Sequence, residues 1–181
     1  AEKLPGGTEQ GKSYALYAGK KVNVDLSTLT ATYAINDDAY YTFTGSGSYG
    51  IKVESGNPTI VLNDASITVG EGSAIDVASG SNATIFVQND NSLSTTAQYS
   101  DTTAGGIFVA EGGTVNITSN STNNTLRVTG NAAAAIGGKY IYGGESYNAG
   151  NINISNVTVY AYMKNYYAAA IGSAGVGTCG T

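Results

Sequence analysis

The chain has 181 residues, 41% of them apolar, which is enough for one domain with a continuous core. Only 12% are charged and the net charge is −5, so no basic stripe is present to neutralise a phosphate backbone, and we expect no nucleic-acid partner. The sequence has no histidine and a single cysteine, Cys179, which argues against catalysis, a disulfide framework, a metal site or a cofactor.

Residues 1–40 lack the motifs that recur further along, and we expect them to form an N-terminal cap and a first coil. They contain Asp37 and Asp38, and a carboxylate pair can serve glycoside hydrolysis or calcium binding. Neighbouring strand residues point in opposite directions, and no matching acidic pair follows downstream. We therefore interpret the pair as part of a solvated loop.

Residues 41–181 are organised by a recurring Gly- or Ala-led apolar segment. Its isoleucines stand at positions 51, 75, 107, 136 and 171, and the differences between successive positions are 24, 32, 29 and 35. These spacings exclude a fixed-period solenoid and are compatible with coils whose loops vary in length. The alanine runs at 132–135 and 168–170 precede Ile-Gly, so they predict tight corners in place of helices.

Two further strands are predicted in each coil. The second strand reads TIVL at 59–62, TIFV at 84–87, TVNI at 114–117 and NINI at 151–154. The third reads YTFTG at 41–45, ITVG at 67–70, LRVTG at 126–130 and VTV at 157–159. Three short strands per coil predict an all-β fold, a single right-handed parallel β-helix that forms a three-sided solenoid with irregular coil lengths.

Alternation along these strands predicts which side chains face the core. The isoleucines of the first strands should form one buried column. Asn and Asp residues between the second and third strands are interpreted as turn formers whose side chains bond to the backbone or to each other in a ladder. On the outward face, we expect Lys52 and Asp76 to form a surface ion pair and Phe108 to be exposed.

Tyrosine is the least ordinary feature of the sequence, because seven of the 14 tyrosines lie between residues 140 and 167. Tyr160 and Tyr162 should point outward together, since Val159 and Ala161 take the inward places. Exposed tyrosine rings suit stacking against sugars or contact with proteins. The alternative is that the rings cover a loop or a neighbouring coil. The candidate ligand-binding residues are Tyr140, Tyr142, Tyr147, Tyr160 and Tyr162.

Five segments resemble the β-solenoid repeats of large exported proteins of gut Firmicutes and Bacteroidetes. They are YGIKVESG at 49–56, SAIDVASG at 73–80, GIFVAEGG at 106–113, AAIGG at 134–138 and AAIGS at 169–173. The resemblance covers roughly residues 41–181 and implies that this region is a fragment of a longer array. It further implies an adhesin-like or carbohydrate-binding module, extracellular or at the bacterial cell surface, with no catalytic residues to transfer.

The resulting hypothesis is a non-catalytic binding module for a polysaccharide or a host or cell-surface glycan. One alternative is a structural fibre or stalk that self-associates through solenoid ends or edges. A second alternative is a polysaccharide-degrading β-helix enzyme, which the missing histidine and scattered acids disfavour. No apolar run approaches the roughly 18 residues of a spanning helix, so we expect no membrane insertion.

Overall fold

The computed structural model describes residues 19–97, 105–131, 133–139, 148–164 and 168–173. Within these ranges the regular secondary structure is β-strand apart from one short 3₁₀ turn at Leu26–Thr28, and the paired strands run parallel. None of the helical structure in these ranges is long and apolar enough to cross a membrane. The predicted all-β class and parallel pairing are therefore confirmed.

The described strands form two sheets. The larger contains β1 (Lys21–Asp25), β3 (Tyr40–Gly47), β5 (Thr59–Val69), β7 (Asn82–Gln88), β8 (Asp90–Thr95), β10 (Thr114–Ser119), β11 (Thr125–Gly130), β13 (Asn151–Ser155) and β14 (Thr158–Met163). The smaller contains β2 (Tyr33–Ile35), β4 (Ile51–Val53), β6 (Ile75–Val77), β9 (Ile107–Val109), β12 (Ile136–Gly137) and β15 (Ile171–Gly172). β1 and β2 lie before residue 40 and pair with β3 and β4, so strand pairing starts within the predicted first coil.

The smaller sheet carries the isoleucine column. Its strand order is β15-β12-β9-β6-β4-β2, and the five isoleucines are direct neighbours in register. Ile51, Ile75, Ile107 and Ile136 are fully buried, whereas Ile171 on the last strand is 43% exposed. The predicted column is confirmed, and among the described strands its last member has a neighbour on one side only.

The larger sheet bends at a left-handed residue in β5. Residues 59–63 pair with β7 and residues 66–69 pair with β8, and Asp64 between them has φ 51°. Asn89 and Asn156 have similar positive φ values at the corresponding bends, a conformation that Asn and Asp tolerate better than other residues with a side chain. The Asn89 Nδ2 donates to Asn63 Oδ1 and Asp64 Oδ2, both at 2.9 Å, which confirms the predicted ladder at this corner.

Two of the predicted strand alignments are wrong. Tyr40 lies beside Thr59, so the YTFTG stretch begins as a second strand and not as a third. Thr114 lies beside Asn82 and not beside Thr84, so TVNI is shifted by two residues. A two-residue shift keeps the apolar face inward, which is why alternation alone does not distinguish the two registers.

Strand β8 was not predicted because only one of its inward residues is apolar. Asn91, Leu93 and Thr95 are all buried, and the two polar side chains find hydrogen-bond partners. The Asn91 Oδ1 accepts from the Ala65 N–H at 2.8 Å, and its Nδ2 donates to the Gln88 carbonyl at 2.7 Å. Polar residues can occupy inward places when the backbone satisfies them.

The described part of the first alanine run, residues 133–135, forms a tight corner, as predicted. Ala133, Ala134 and Ala135 are fully buried and not helical. A Cβ added to Gly105 would lie 1.6 Å from the Ala134 carbonyl oxygen. The small residues therefore permit a close approach of two backbones.

Candidate functional site

Tyr160 and Tyr162 project outward from β14. They are 51% and 62% exposed. Val159, which precedes Tyr160, and Ala161, which separates the two tyrosines, pack against the core. This is the placement that alternation predicts. Tyr140, Tyr142 and Tyr147 lie outside the described residues, so the structure brings together only two of the five predicted site residues.

Strand pairing surrounds the two rings with polar side chains. Tyr160 lies beside Arg127 of β11, and Tyr162 lies beside Thr129. Arg127 in turn lies beside Ser92 of β8, and Thr129 lies beside Ser94. We call this outward surface the tyrosine wall, and it comprises Ser92, Ser94, Arg127, Thr129, Tyr160 and Tyr162.

Arg127 stacks on the first ring of the tyrosine wall. Its guanidinium carbon lies 4.5 Å from the Tyr160 ring centroid, which is within the range of a cation–π contact. Within the described residues Arg127 forms no ion pair. The contact restrains two long side chains, and within the described residues the N–H donors of the guanidinium form no hydrogen bond to the ring hydroxyl.

The chemistry of the tyrosine wall suits binding. Rings, hydroxyls and a guanidinium can stack and hydrogen-bond, but they do not provide a nucleophile paired with a base. Asp90, next to the wall on β8, accepts a hydrogen bond from Thr125 Oγ1 at 2.5 Å. Among the described residues, no group of three or more Asp, Glu, His or Cys side chains is arranged to hold a metal.

The carboxylate pair at 37–38 lies in a loop, as expected, and has a structural role. Asp37 Oδ1 accepts from the Tyr41 hydroxyl at 2.7 Å and from the Ala39 N–H at 3.0 Å. These hydrogen bonds, led by that from Tyr41, hold the pKa of Asp37 below its ordinary value. Asp38 Oδ1 accepts from the Asn57 N–H at 2.6 Å and so joins two neighbouring repeats.

Two predictions about the smaller sheet are wrong. Lys52 and Asp76 are neighbours in register, but Lys52 pairs with Glu54 at 3.2 Å. Lys139, which follows β12, reaches Asp76 at 3.6 Å and also lies 4.0 Å from the Phe108 ring centroid. Phe108 is buried and not exposed, and the Lys139 ammonium lies over its ring.

Sequence reasoning missed two concave surfaces. A groove of about 510 Å³ is lined by Tyr49, Lys52 and the loop that precedes β6. A polar hollow of about 360 Å³ is lined by the amide side chains of the corner, Asn63, Gln88, Asn89, Asn120 and Asn124. The only signal for the hollow was the recurrence of Asn at predicted turns, which equally indicates a structural ladder.

No protein-family model matches this chain, and no curated protein or solved structure is significantly similar to it. The resemblance of its repeats to exported β-solenoid proteins therefore stays a prediction. The chemistry of the described surface is the basis on which a function can be assigned.

Proposed function

We propose that the chain is a non-catalytic, adhesin-like binding module that recognises a polysaccharide or a host glycan at the tyrosine wall. The observation that carries the proposal is the exposure of Tyr160 and Tyr162, at 51% and 62%, on one face of a paired strand. β14 is in register with β11 over six residue pairs, so the backbone that presents the rings is already in strand conformation before a ligand arrives. A preorganised surface loses less conformational entropy when it binds a ligand.

The proposal includes a single right-handed parallel β-helix as the scaffold. In-register stacking of the isoleucine column and recurring left-handed bends at Asp64, Asn89 and Asn156 support it. In such a fold the outward side chains of successive coils line up as flat columns. The tyrosine wall consists of two such columns. One contains Ser92, Arg127 and Tyr160, and the other contains Ser94, Thr129 and Tyr162.

A glycan is the ligand class that this chemistry fits. The apolar face of a sugar ring can stack on a tyrosine, and its hydroxyls can bond to neighbouring hydroxyls and guanidinium donors. Thr68 Oγ1 and Ser94 Oγ are already 2.9 Å apart, so hydroxyls of this face engage in hydrogen bonds across coils. We further propose an extracellular or bacterial cell-surface location, on the resemblance of the repeats to exported proteins.

The test is the double substitution Tyr160→Ala with Tyr162→Ala, assayed on a glycan array. We expect glycan binding to fall at least about tenfold, which corresponds to a loss of 1.4 kcal/mol. Tyr49→Ala is the matched control, because it removes an exposed ring from a different surface. Thermal stability of the double variant should change little, since exposed rings contribute little to the core.

Retention of binding by the double variant would contradict the proposal. A large loss of stability without a change in binding would mean that the rings serve packing. Release of reducing ends from a polysaccharide panel would instead support the enzyme alternative.

A structural fibre or stalk is the second candidate, and one observation favours it. Ile154 and Ile171, which continue inward-facing columns, are 39% and 43% exposed on the outermost described strands of the two sheets. An apolar face of this kind is buried when another coil stacks on it. Sedimentation across a hundredfold concentration range should then show growing assemblies, and a constant mass would argue against this candidate.

A further inference from the structure

We infer that the tyrosine wall selects an acidic glycan, one that carries carboxylates, through Arg127 and Lys164. The inference rests on the proposed function and adds the charge of the ligand to it. This surface and the chain as a whole differ in the sign of their charge.

The chain is acidic, with 13 Asp and Glu against 8 Lys and Arg, yet the tyrosine wall contains Arg127, and Lys164 lies just beyond its edge. Arg127 lies on β11, and Lys164 directly follows the last residue of β14. Both side chains are exposed, and within the described residues neither forms an ion pair. The nearby carboxylate of Asp90 accepts a hydrogen bond from the Thr125 hydroxyl, which does not neutralise it, so two cations stand against one nearby carboxylate.

The two cations flank the two rings. Arg127 lies beside Tyr160 on the adjacent strand, and Lys164 lies two residues beyond Tyr162. At about 3.3 Å per residue, Lys164 is roughly 13 Å from Tyr160 along the strand direction. An oligosaccharide that lies along β14 would therefore contact both rings and meet a cation near each end.

Arg127 is suited to a carboxylate in particular. The guanidinium presents planar paired donors that match the two oxygens of a carboxylate, and stacking at 4.5 Å on Tyr160 restrains its orientation. A ligand that engages the free edge of the guanidinium need not disturb this contact. Because the site is open to solvent, salt should weaken the charged part of the recognition.

The experiment is a calorimetric titration of the whole chain with oligogalacturonate and with the same oligosaccharide as its methyl ester. The two ligands differ in charge and share ring stereochemistry. We expect the acidic form to bind at least about fivefold more tightly at low salt, and the preference to shrink at high salt.

Arg127→Gln should abolish this preference, and Lys164→Gln should reduce it. Lys52→Gln removes one positive charge from the other sheet and should leave the preference unchanged. Arg127→Lys keeps the charge but loses the paired donors, so it should retain part of the preference. A charge effect of the whole chain would instead move the Arg127 and Lys52 variants equally, which would overturn the inference.

Other outcomes separate the inference from the proposed function. Equal binding of the acid and the ester overturns the inference and leaves glycan recognition intact. If neither ligand binds, the glycan array distinguishes three results. Binding that is confined to neutral glycans overturns the inference alone, and an array with no binding overturns both. Binding to other acidic glycans that Arg127→Gln abolishes supports the inference.

Discussion

At the scale of single residues, Asn91 shows how a polar side chain can occupy the core. It is buried on β8 and supplies a hydrogen-bond acceptor to the Ala65 N–H, directly after the left-handed bend at Asp64. Its amide also donates to the Gln88 carbonyl, just before the next bend. One side chain thus bridges the bends of two successive repeats.

Replacement of Asn91 by leucine should therefore destabilise the chain although it makes the core more apolar. The Ala65 N–H loses its side-chain acceptor, and a buried unsatisfied group costs about 1–3 kcal/mol. Urea denaturation should show the free energy of unfolding of Asn91→Leu lowered by that amount. Ser92→Ala, one residue away on the outward face, should change it by less than about 0.5 kcal/mol. A leucine variant as stable as the parent would contradict this account.

At the scale of elements, the smaller sheet consists of strands only two or three residues long. A strand of this length has no stability of its own, and β4, β6, β9 and β12 are each held by a paired strand on both sides. The isoleucine column is the apolar part of that stacking. Truncation of an isoleucine inside the column should therefore lower the free energy of unfolding more than truncation of the isoleucine at its end.

Ile107→Ala and Ile171→Ala test this within one column. Ile107 is fully buried between Ile75 and Ile136, and its truncation should cost about 2–5 kcal/mol through lost burial and a cavity. Ile171 is 43% exposed, so the same substitution should cost about 1 kcal/mol or less. The measurement is chemical denaturation of both variants. Equal losses would show that Ile171 is covered in solution, as the stalk alternative requires.

At the scale of the whole molecule, stability should vary along the stack of repeats. Strands β5 and β6 pair on both sides, whereas within the described residues β13, β14 and β15 pair on one side only. Strand pairing joins each repeat to its immediate neighbours, so local opening is expected to be easier where one paired neighbour is missing. The proposed ligand surface lies at this less protected side.

Hydrogen exchange measures this gradient directly. Amides of β5 and β6 should exchange at least about tenfold more slowly than those of β13 and β14, which corresponds to a difference of 1.4 kcal/mol in opening free energy. Mass spectrometry of peptides from each repeat gives the comparison. Uniform protection from β1 to β14 would mean that the chain opens only as one cooperative unit.

The sequence by itself determined the features that depend on alternation and turn chemistry. The all-β class, the inward direction of the repeated isoleucines, the Asn corner and the outward direction of Tyr160 and Tyr162 follow from period-two patterning and from the tolerance of Asn and Asp for positive φ. These are properties of a few consecutive residues. They hold whatever neighbour a strand acquires.

Only the tertiary structure decided which strands are neighbours and in what register. An even-numbered shift preserves the apolar face, so alternation did not distinguish the predicted alignment of TVNI from the observed one. Strand β8 buries Asn91 because that side chain is hydrogen-bonded to the backbone of another repeat. Lys139 reaches Asp76 across an intervening strand. Arg127 likewise meets Tyr160 because β11 and β14 pair in one register, and that pairing joins residues far apart in the chain. The charge of the proposed site is therefore a product of strand stacking, which local patterning does not encode.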